Sequence, residues 1–152
     1  MEKHTRVMAA EILLEEYRQL LQDESIEALP LVISGSSMAP FLVHGRDTVY
    51  LSRLDRDAKK GDVLLYRRNS GAYILHRVYK IENNTYTMVG DAQAELEPGI
   101  KQEQIIAVMT SALRKGKLEK PGTFRWDFFE KFWLKIIPFR PLLVKMYTLF
   151  TH

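Results

Sequence analysis

Two residues of this sequence have the side chains of a nucleophile and a base, and each lies next to strand or turn signals. Ser37 lies within residues 32–40, VISGSSMAP, and His76 lies within residues 73–78, YILHRV. A serine hydroxyl is a poor nucleophile until a neighbouring base takes its proton, so a serine at a bend needs a base on a nearby element. The pair makes hydrolysis of a peptide the leading hypothesis.

The residues around the serine predict a tight turn. Gly35 permits a sharp bend after a strand, which lets Ser37 project its oxygen into a groove while nearby backbone N–H groups point at a developing oxyanion. The backbone N–H of Ser37 is the first candidate donor, with the hydroxyls of Ser36 and Ser34 as alternatives. Ser36 and Met38 are also predicted to contact the substrate.

Composition excludes several other chemistries. The chain has 152 residues and no cysteine, so thiolate catalysis, disulfides and cysteine-rich zinc motifs are all ruled out. His44 and His76 are the internal histidines, and His44, next to a glycine, is predicted to have a structural or solvated role in a loop. We therefore expect no metal site and no cofactor. The length suits one domain of about 110 residues with an added tail.

Charge is distributed unevenly along the chain. Residues 1–113 carry 13 basic and 16 acidic side chains, whereas residues 114–152 carry 9 basic and 3 acidic ones, both tryptophans and six of the seven phenylalanines. Interleaved aromatic and basic residues predict contact with lipid headgroups or with a protein partner through residues 124–150. The alternative is a pair of helices that packs back on the β-domain. Nucleic acid is a poor candidate partner, because the basic charge is confined to this aromatic tail.

Neither end of the sequence predicts a membrane span or an export signal. The tail is interrupted by Lys131, Lys135, Arg140 and Lys145, whereas a spanning helix needs about 20 mostly apolar residues. The amino terminus leads into a charged amphipathic segment and lacks the apolar core of a secretory signal. These features predict a cytoplasmic or membrane-peripheral protein.

The elements that position the two residues are mainly strands. Apolar side chains recur at helical spacing from Thr5 to about Asp23, which predicts one amphipathic helix within residues 1–29. Residues 30–120 then alternate between β-rich segments and turns, which predicts a small antiparallel β-domain. The predicted strands are Leu31–Ser34, Asp47–Arg53, Asp62–Arg68, Ala72–Ile81, Thr85–Val89 and Gln104–Leu113.

Short gaps between these segments predict hairpins and a boundary. Residues 69–71 would connect the third strand to the fourth, and residues 83–84 the fourth to the fifth. Pro98-Gly99 is interpreted as a turn. Residues 121–152 are predicted to form a basic, aromatic helical tail, in which Thr123 caps a helix that starts near Phe124 and a second short helix follows Pro141.

Four segments in this order resemble the serine peptidase superfamily that joins bacterial signal peptidase I, the signal peptidases of archaea and the endoplasmic reticulum, and the self-cleaving SOS repressors. The resemblance covers roughly residues 30–113 and implies the fold of that superfamily, a small antiparallel β-domain of signal-peptidase type. The matching segments are GSSMAP at 35–40, KGDVLLY at 60–66, ILHRV at 74–78 and MVGDA at 88–92.

The resemblance assigns roles to three residues. Ser37 corresponds to the nucleophile, and His76, where bacterial members have lysine, corresponds to the histidine base of the archaeal and endoplasmic-reticulum branch. Asp91 corresponds to the aspartate of the acidic segment and would orient the imidazole of His76. Because that branch usually has a further aspartate shortly after this one, Glu95 or Glu97 is an alternative third member.

Three functions follow as hypotheses. The first is a serine endopeptidase that cleaves a signal or leader type of peptide from an extended substrate held along a strand edge, with small side chains beside the cut. The second is an inactive module on the same fold that binds a peptide for a partner enzyme. The third, self-cleavage, would need a reachable upstream bond, for which Ala9-Ala10 is the small pair in the sequence.

Overall fold

An antiparallel β-sheet of eight strands, followed by a helical segment, forms the fold. The structure is a computed structural model, and it describes residues 14–151. The strands are β1 (Leu29–Val32), β2 (Thr48–Ser52), β3 (Val63–Arg67), β4 (Tyr73–Glu82), β5 (Thr85–Val89), β6 (Glu97–Lys101), β7 (Ile105–Arg114) and β8 (Lys117–Glu119).

Helical structure lies before and after the sheet. Residues 14–20 form helix α1, whereas the predicted part of this helix from residue 5 to 13 lies outside the described residues. After the sheet come α2 (Phe124–Asp127), a π-helical turn (Phe128–Phe132), a 3₁₀ segment (Trp133–Phe139) and α3 (Arg140–Thr151). A short 3₁₀ turn (Gln102–Gln104) precedes β7. Within residues 14–151, no helix has the length and apolarity that crossing a bilayer requires.

The strand order places two strands at the edges of the sheet. The order is β1-β2-β7-β3-β4-β5-β6, with β8 paired to β7 beside it, and each pair is antiparallel. The predicted hairpins β3–β4 and β4–β5 are confirmed by their registers. Asn83 and Asn84 both have positive φ, as a two-residue type I′ turn requires. The prediction of an antiparallel β-domain with a helical carboxyl-terminal segment is confirmed.

Two strands were not predicted from the sequence, and one predicted turn is wrong. Pro98-Gly99 lies inside β6 rather than in a turn, because β6 is the last strand of the sheet and an edge strand tolerates a proline that cannot donate. The register shift between Tyr86 and Met88 accommodates this irregular strand. Strand β8 follows a tight turn in which Lys115 and Gly116 both have positive φ.

The helical segment packs on the sheet through its aromatic side chains. Trp126, Phe129 and Trp133 are buried in one cluster with Phe41, whose ring stacks on Phe129 with centroids 4.8 Å apart. A second cluster on the sheet gathers side chains of β3, β4, β5 and β7. These three buried aromatic residues of the tail therefore belong to the core rather than to a surface, and burial of their rings stabilises the fold.

Three residues of the tail, Arg140, Trp133 and Glu130, contact the loops of the β-domain. Arg140 is fully buried and donates to the carbonyl oxygens of Gly90 at 3.2 Å, Gln93 at 3.3 Å and Trp133 at 2.8 Å. The indole N–H of Trp133 donates to the carbonyl oxygen of Asp91 at 2.7 Å. A Cβ on Gly61 would lie 2.7 Å from the side chain of Glu130, so this close approach requires glycine.

Candidate active site

The turn that carries Ser37 connects β1 to β2 and is anchored on both sides. Gly35 has a φ of +86°, which a residue with a side chain rarely adopts, and its N–H donates to Nδ1 of His44 at 2.9 Å. His44 therefore has the structural role that was predicted for it. Met38 is almost fully buried in the core, and the N–H of Leu42 donates to its carbonyl oxygen at 2.9 Å. Ser37 therefore lies in a turn that is fixed by Gly35 before it and by the buried Met38 after it.

The backbone of Ser37 lies against the loop after β5. Its carbonyl oxygen accepts the N–H of Ala92 at 2.9 Å. A Cβ on Gly90 would come within 2.6 Å of the same oxygen, so glycine at this position permits the contact. In the β4–β5 register Arg77 pairs with Val89, so Gly90 directly follows the last residue of β5. The backbone of Ser37 is thus fixed against the loop that follows β5.

The imidazole of His76 has a defined hydrogen-bond partner. The ring is 5 % exposed, and its Nδ1 lies 3.4 Å from the hydroxyl oxygen of Tyr66. That hydroxyl donates its single proton to the carboxylate of Glu97, so toward the histidine its oxygen can act only as an acceptor. With this oxygen as the acceptor, the contact favours the tautomer in which Nδ1 carries the ring proton and Nε2 has the lone pair.

Burial and charge keep this imidazole neutral. Burial, together with the positive charge of Arg68, lowers the pKa of His76 to about 4 from the ordinary value of 6.5. Arg68 is fixed there because its guanidinium donates to Glu97 at 2.7 Å. The same burial and the bond to Glu97 raise the pKa of Tyr66, which keeps its hydroxyl protonated. At neutral pH, His76 is therefore in the protonation state of a general base.

Asp91 has a different partner from the one predicted. Both of its carboxylate oxygens accept hydrogen bonds from the guanidinium of Arg77, at 2.8 and 2.9 Å, and the third guanidinium nitrogen donates to the carbonyl oxygen of Gly61 at 2.9 Å. The side chains of Asp91 and Arg77 are both buried. Successive residues of a strand point to opposite faces, which directs Arg77 away from the side of His76. Asp91 thus anchors the loop, and the hydroxyl of Tyr66 contacts Nδ1 of His76 instead.

A cavity of about 520 Å³ adjoins Ser37. Its walls come from α1, β1, the Ser37 turn, β3 and the start of β4. Apolar side chains dominate the lining, as is usual for sites that bind organic ligands. The lining residues are Leu14, Tyr17, Pro30, Leu31, Val32, Ile33, Ser34, Gly35, Ser37, Met38, Leu65, Tyr73, Ile74 and Leu75.

Two unpaired strand edges border this cavity. Strand β1 pairs with β2 alone, and β4 pairs with β5 only from Arg77 onward, so residues 73–76 have no β5 partner. Ile33 exchanges hydrogen bonds toward β2, through the carbonyl of Asp47 and the N–H of Gly45. Backbone groups alternate in direction along a strand, so the N–H and C=O of Val32 face the open edge.

Helix α1 bridges these two edges at one end of the cavity. The Tyr17 hydroxyl donates to the carbonyl oxygen of Pro30 in β1 at 2.7 Å. From the other side, the Tyr73 hydroxyl of β4 donates to the carboxylate of Glu15 at 2.9 Å. The helix therefore forms an end wall of the groove between β1 and β4.

The remaining predicted residues are placed as follows. Met38 lines the cavity, whereas Ser36 is exposed and is not part of its lining. Glu95 is exposed, and Glu97 is joined to His76 through Tyr66. Over residues 14–151, Ser37 and His76 share no hydrogen bond, and no His, Asp and Glu side chains cluster as metal ligands would. The bond Ala9-Ala10 lies outside the described residues.

Sequence reasoning missed Tyr66 and Arg68. Tyr66 ends the segment at 60–66 that was matched to the family, but only the register reveals its role. Leu64 is opposite His76 in the β3–β4 pair, so Tyr66 is two residues along on the same face. When β3 and β4 are aligned through their hairpin turn, the alternation of side chains along each strand predicts that the Tyr66 hydroxyl lies on the same face as His76.

Comparison with protein-family models, with curated proteins and with solved structures finds no match to this chain.

Proposed function

We propose that this chain is a serine endopeptidase of the signal-peptidase type, with Ser37 as the nucleophile and His76 as the general base. The observation that carries the proposal is the convergence of four sequence segments on one loop. The carbonyl of Ser37 accepts the N–H of Ala92, and Gly90 leaves space for that carbonyl. Asp91 pairs with Arg77, which also donates to the carbonyl of Gly61. These segments are the ones that resemble the family.

The proposed reaction is acyl transfer by a serine and a histidine. The Oγ of Ser37 attacks the scissile carbonyl carbon while Nε2 of His76 takes the hydroxyl proton. In the described residues the backbone N–H of Ser37 donates to no other group, so it can stabilise the oxyanion. His76 then gives the proton to the leaving amine as the C–N bond breaks. Water, deprotonated by His76, hydrolyses the resulting ester and restores the serine.

Tyr66 and Glu97 act as positioning residues for this base. The Tyr66 oxygen faces Nδ1 and selects the tautomer whose Nε2 is unprotonated. Glu97 holds the Tyr66 hydroxyl in this direction and is itself held by Arg68. The chain Glu97–Tyr66–His76 performs the orienting function that an aspartate performs in a catalytic triad.

The groove between β1 and β4 suits an extended peptide. A peptide strand can pair with the backbone of Val32 on one side and with residues 73–76 on the other, while its alternate side chains enter the apolar cavity. The main-chain bonds supply affinity, and the cavity supplies selectivity for small or apolar residues beside the cut. The substrate class is thus an extended, apolar segment of the signal or leader type.

Labelling with a serine-reactive phosphonate tests the nucleophile. We expect an adduct on Ser37 in the native protein, located by mass spectrometry, and its loss in both Ser37→Ala and His76→Gln. Ser36→Ala is the matched control, because it removes an exposed neighbouring hydroxyl, and it should label as the native protein does. Repeated absence of an adduct on folded native protein would contradict the proposal.

The second candidate is an inactive module that binds a peptide for a partner enzyme. One observation favours it: Ser37 and His76 lack a mutual hydrogen bond over residues 14–151, although the apolar cavity is present. This candidate predicts that a hydrophobic leader-type peptide binds with equal affinity to the native protein and to Ser37→Ala and is recovered uncleaved. Cleavage by the native protein alone would exclude it.

A further inference from the structure

Helix α3 has two apolar faces, and only one of them is covered. Arg140 and Val144 lie on the face toward the β-domain, where Val144 packs against the core. The opposite face carries large apolar side chains spaced as neighbours on a helix. These exposed residues are Leu142, Leu143, Met146, Leu149 and Phe150.

The segment before α3 also exposes aromatic rings. Phe124 and Phe132 are 83 % and 50 % exposed, and Phe128 lies between them with ring centroids 6.2 and 5.2 Å away. The three rings form a row along the surface. Phe139, which immediately precedes α3, is 62 % exposed. Exposed apolar side chains in such number indicate a binding surface rather than scattered surface residues.

The charges in this region have one sign. Between residues 131 and 151 the sequence has no acidic residue, and Lys131, Lys135 and Lys145 are all exposed. The nearest acid before them, Glu130, is directed to Lys59 at 3.9 Å. A surface with exposed apolar and aromatic residues, exposed lysines and no acidic residue from 131 to 151 complements an anionic interface. Two copies of this surface would bring the same lysines together, which disfavours self-association.

We propose that the exposed face of α3, with its neighbouring phenylalanines, binds the surface of an anionic membrane. The helix lies in the plane of the interface, its leucines and Phe150 enter the boundary between headgroups and acyl chains, and the lysines contact lipid phosphates. Because Arg140 links the first turn of α3 to Gly90 and Gln93, the membrane surface would lie close to the loop that supports Ser37. The inference rests on this surface and is independent of the proposed peptidase activity.

Sedimentation with vesicles tests the membrane contact, using the full chain. Vesicles of phosphatidylcholine and phosphatidylglycerol in equal parts should bind the protein, and binding should weaken in high salt. In the double variant Leu149→Glu and Phe150→Glu, binding should fall by at least about tenfold, because two large apolar side chains no longer enter the membrane boundary and two negative charges are added. Leu118→Glu is the matched control, because Leu118 is an exposed leucine of β8 outside the tail, and it should bind normally.

The lysines distinguish an anionic membrane from any apolar surface. Each change of Lys131, Lys135 or Lys145 to Gln should weaken binding to the anionic vesicles about fivefold, with little effect on pure phosphatidylcholine vesicles. Absence of vesicle binding by folded protein, or equal binding by the double variant, would overturn the proposal. A dimer in sedimentation equilibrium that the double variant abolishes would also overturn it. Ser37→Ala should bind vesicles as the native protein does, so loss of catalysis and loss of membrane binding remain distinguishable.

Discussion

His76 and Arg77 are successive residues of β4, both are buried, and their surroundings differ completely. Arg77 donates from all three guanidinium nitrogens, two of them to Asp91 and one to the carbonyl of Gly61, so its charge is permanently matched. His76 faces a hydroxyl that is shared with a carboxylate. One face of the strand therefore holds a fixed charge, and the other holds a group whose protonation can change.

Burial acts differently on a permanent charge and on a ring that can titrate. A guanidinium is charged at every pH that proteins encounter, so burying it requires a partner of opposite charge. An imidazole can be buried as a neutral ring, at the cost of a lowered pKa. The fixed pair holds the Gly90 loop in place, and the neutral ring beside it remains available to accept a proton.

The largest expected effect comes from breaking the fixed pair. Asp91→Asn leaves the guanidinium of Arg77 buried without a countercharge, which should lower the free energy of unfolding by about 3–5 kcal/mol. Urea unfolding followed by the fluorescence of the buried tryptophans measures this loss. The double variant Arg77→Leu and Asp91→Leu should lose less than Asp91→Asn, because no buried charge remains alone.

An exposed ion pair on the same strand provides the control for this experiment. Lys80 and Glu82 lie 3.1 Å apart in β4 with both side chains about half exposed or more. Lys80→Gln should change the free energy of unfolding by less than about 1 kcal/mol. If Asp91→Asn changed the free energy of unfolding as little as Lys80→Gln does, the Asp91–Arg77 pair would not be what holds the Gly90 loop in place.

Acid should unfold the chain through His76. Its pKa is about 4 when folded and 6.5 when unfolded, so between these values the unfolded state binds more protons and stability falls as pH decreases. The contribution of His76 to the free energy of unfolding is fully present above pH 6.5, and about 3 kcal/mol of it is lost by pH 4. Urea unfolding at neutral pH and at pH 4 should show this loss in the native protein.

Carboxylates also titrate in this range, so the histidine needs a matched variant. His76→Gln keeps the carboxylates but has no ring to protonate. Between neutral pH and pH 4, its free energy of unfolding should therefore fall by about 3 kcal/mol less than that of the native protein. The difference between the two proteins isolates the imidazole. Equal pH dependence of native and variant protein would show that His76 titrates normally, and the contrast with Arg77 would fail.

The smallest effect concerns the hydroxyl between the ring and Glu97. Tyr66→Phe removes one buried hydrogen-bonding group, so unfolding should become easier by about 1 kcal/mol. The ¹⁵N resonances of His76 should move, because Nδ1 loses its acceptor and the tautomers mix. Phosphonate labelling of Ser37 should slow for the same reason.

Tyr86→Phe is the control for this substitution. The Tyr86 hydroxyl donates to Gln102 at 2.6 Å, and its ring belongs to the same cluster as Tyr66. Its loss should affect stability similarly while leaving the His76 resonances and the labelling rate unchanged. Matching resonance shifts in the two variants would assign Tyr66 to packing alone.

Local patterns were sufficient for much of this fold. The hairpin turns at residues 69–71 and 83–84, the bend at Gly35 and the start of the tail helix all depend on nearby residues, and these predictions are confirmed. Strand β6 could not be predicted because only its place at the edge of the sheet permits Pro98.

The partners at the site depend on distant residues. Glu97 reaches Tyr66 across 31 positions of sequence, and Arg140 reaches Gly90 across 50. Such contacts are set by strand order and by the docking of the tail, which no local pattern encodes. For Arg77, alternation along β4 predicts that the side chain points away from His76 and pairs with an acid such as Asp62 or Asp91. The pair with Asp91 is the one that forms, and local sequence does not select it because Asp91 lies in the loop after β5.

The buried Arg140 has a consequence for synthesis of the chain. During translation the serine and the histidine emerge long before residue 140, and amino-terminal structure folds first. The loop at Gly90 and Gln93 receives its last hydrogen-bond donors only from this arginine. The nascent chain thus contains Ser37 and His76 while the loop beside Ser37 still lacks these donors, and the loop gains them only after residue 140 has left the ribosome.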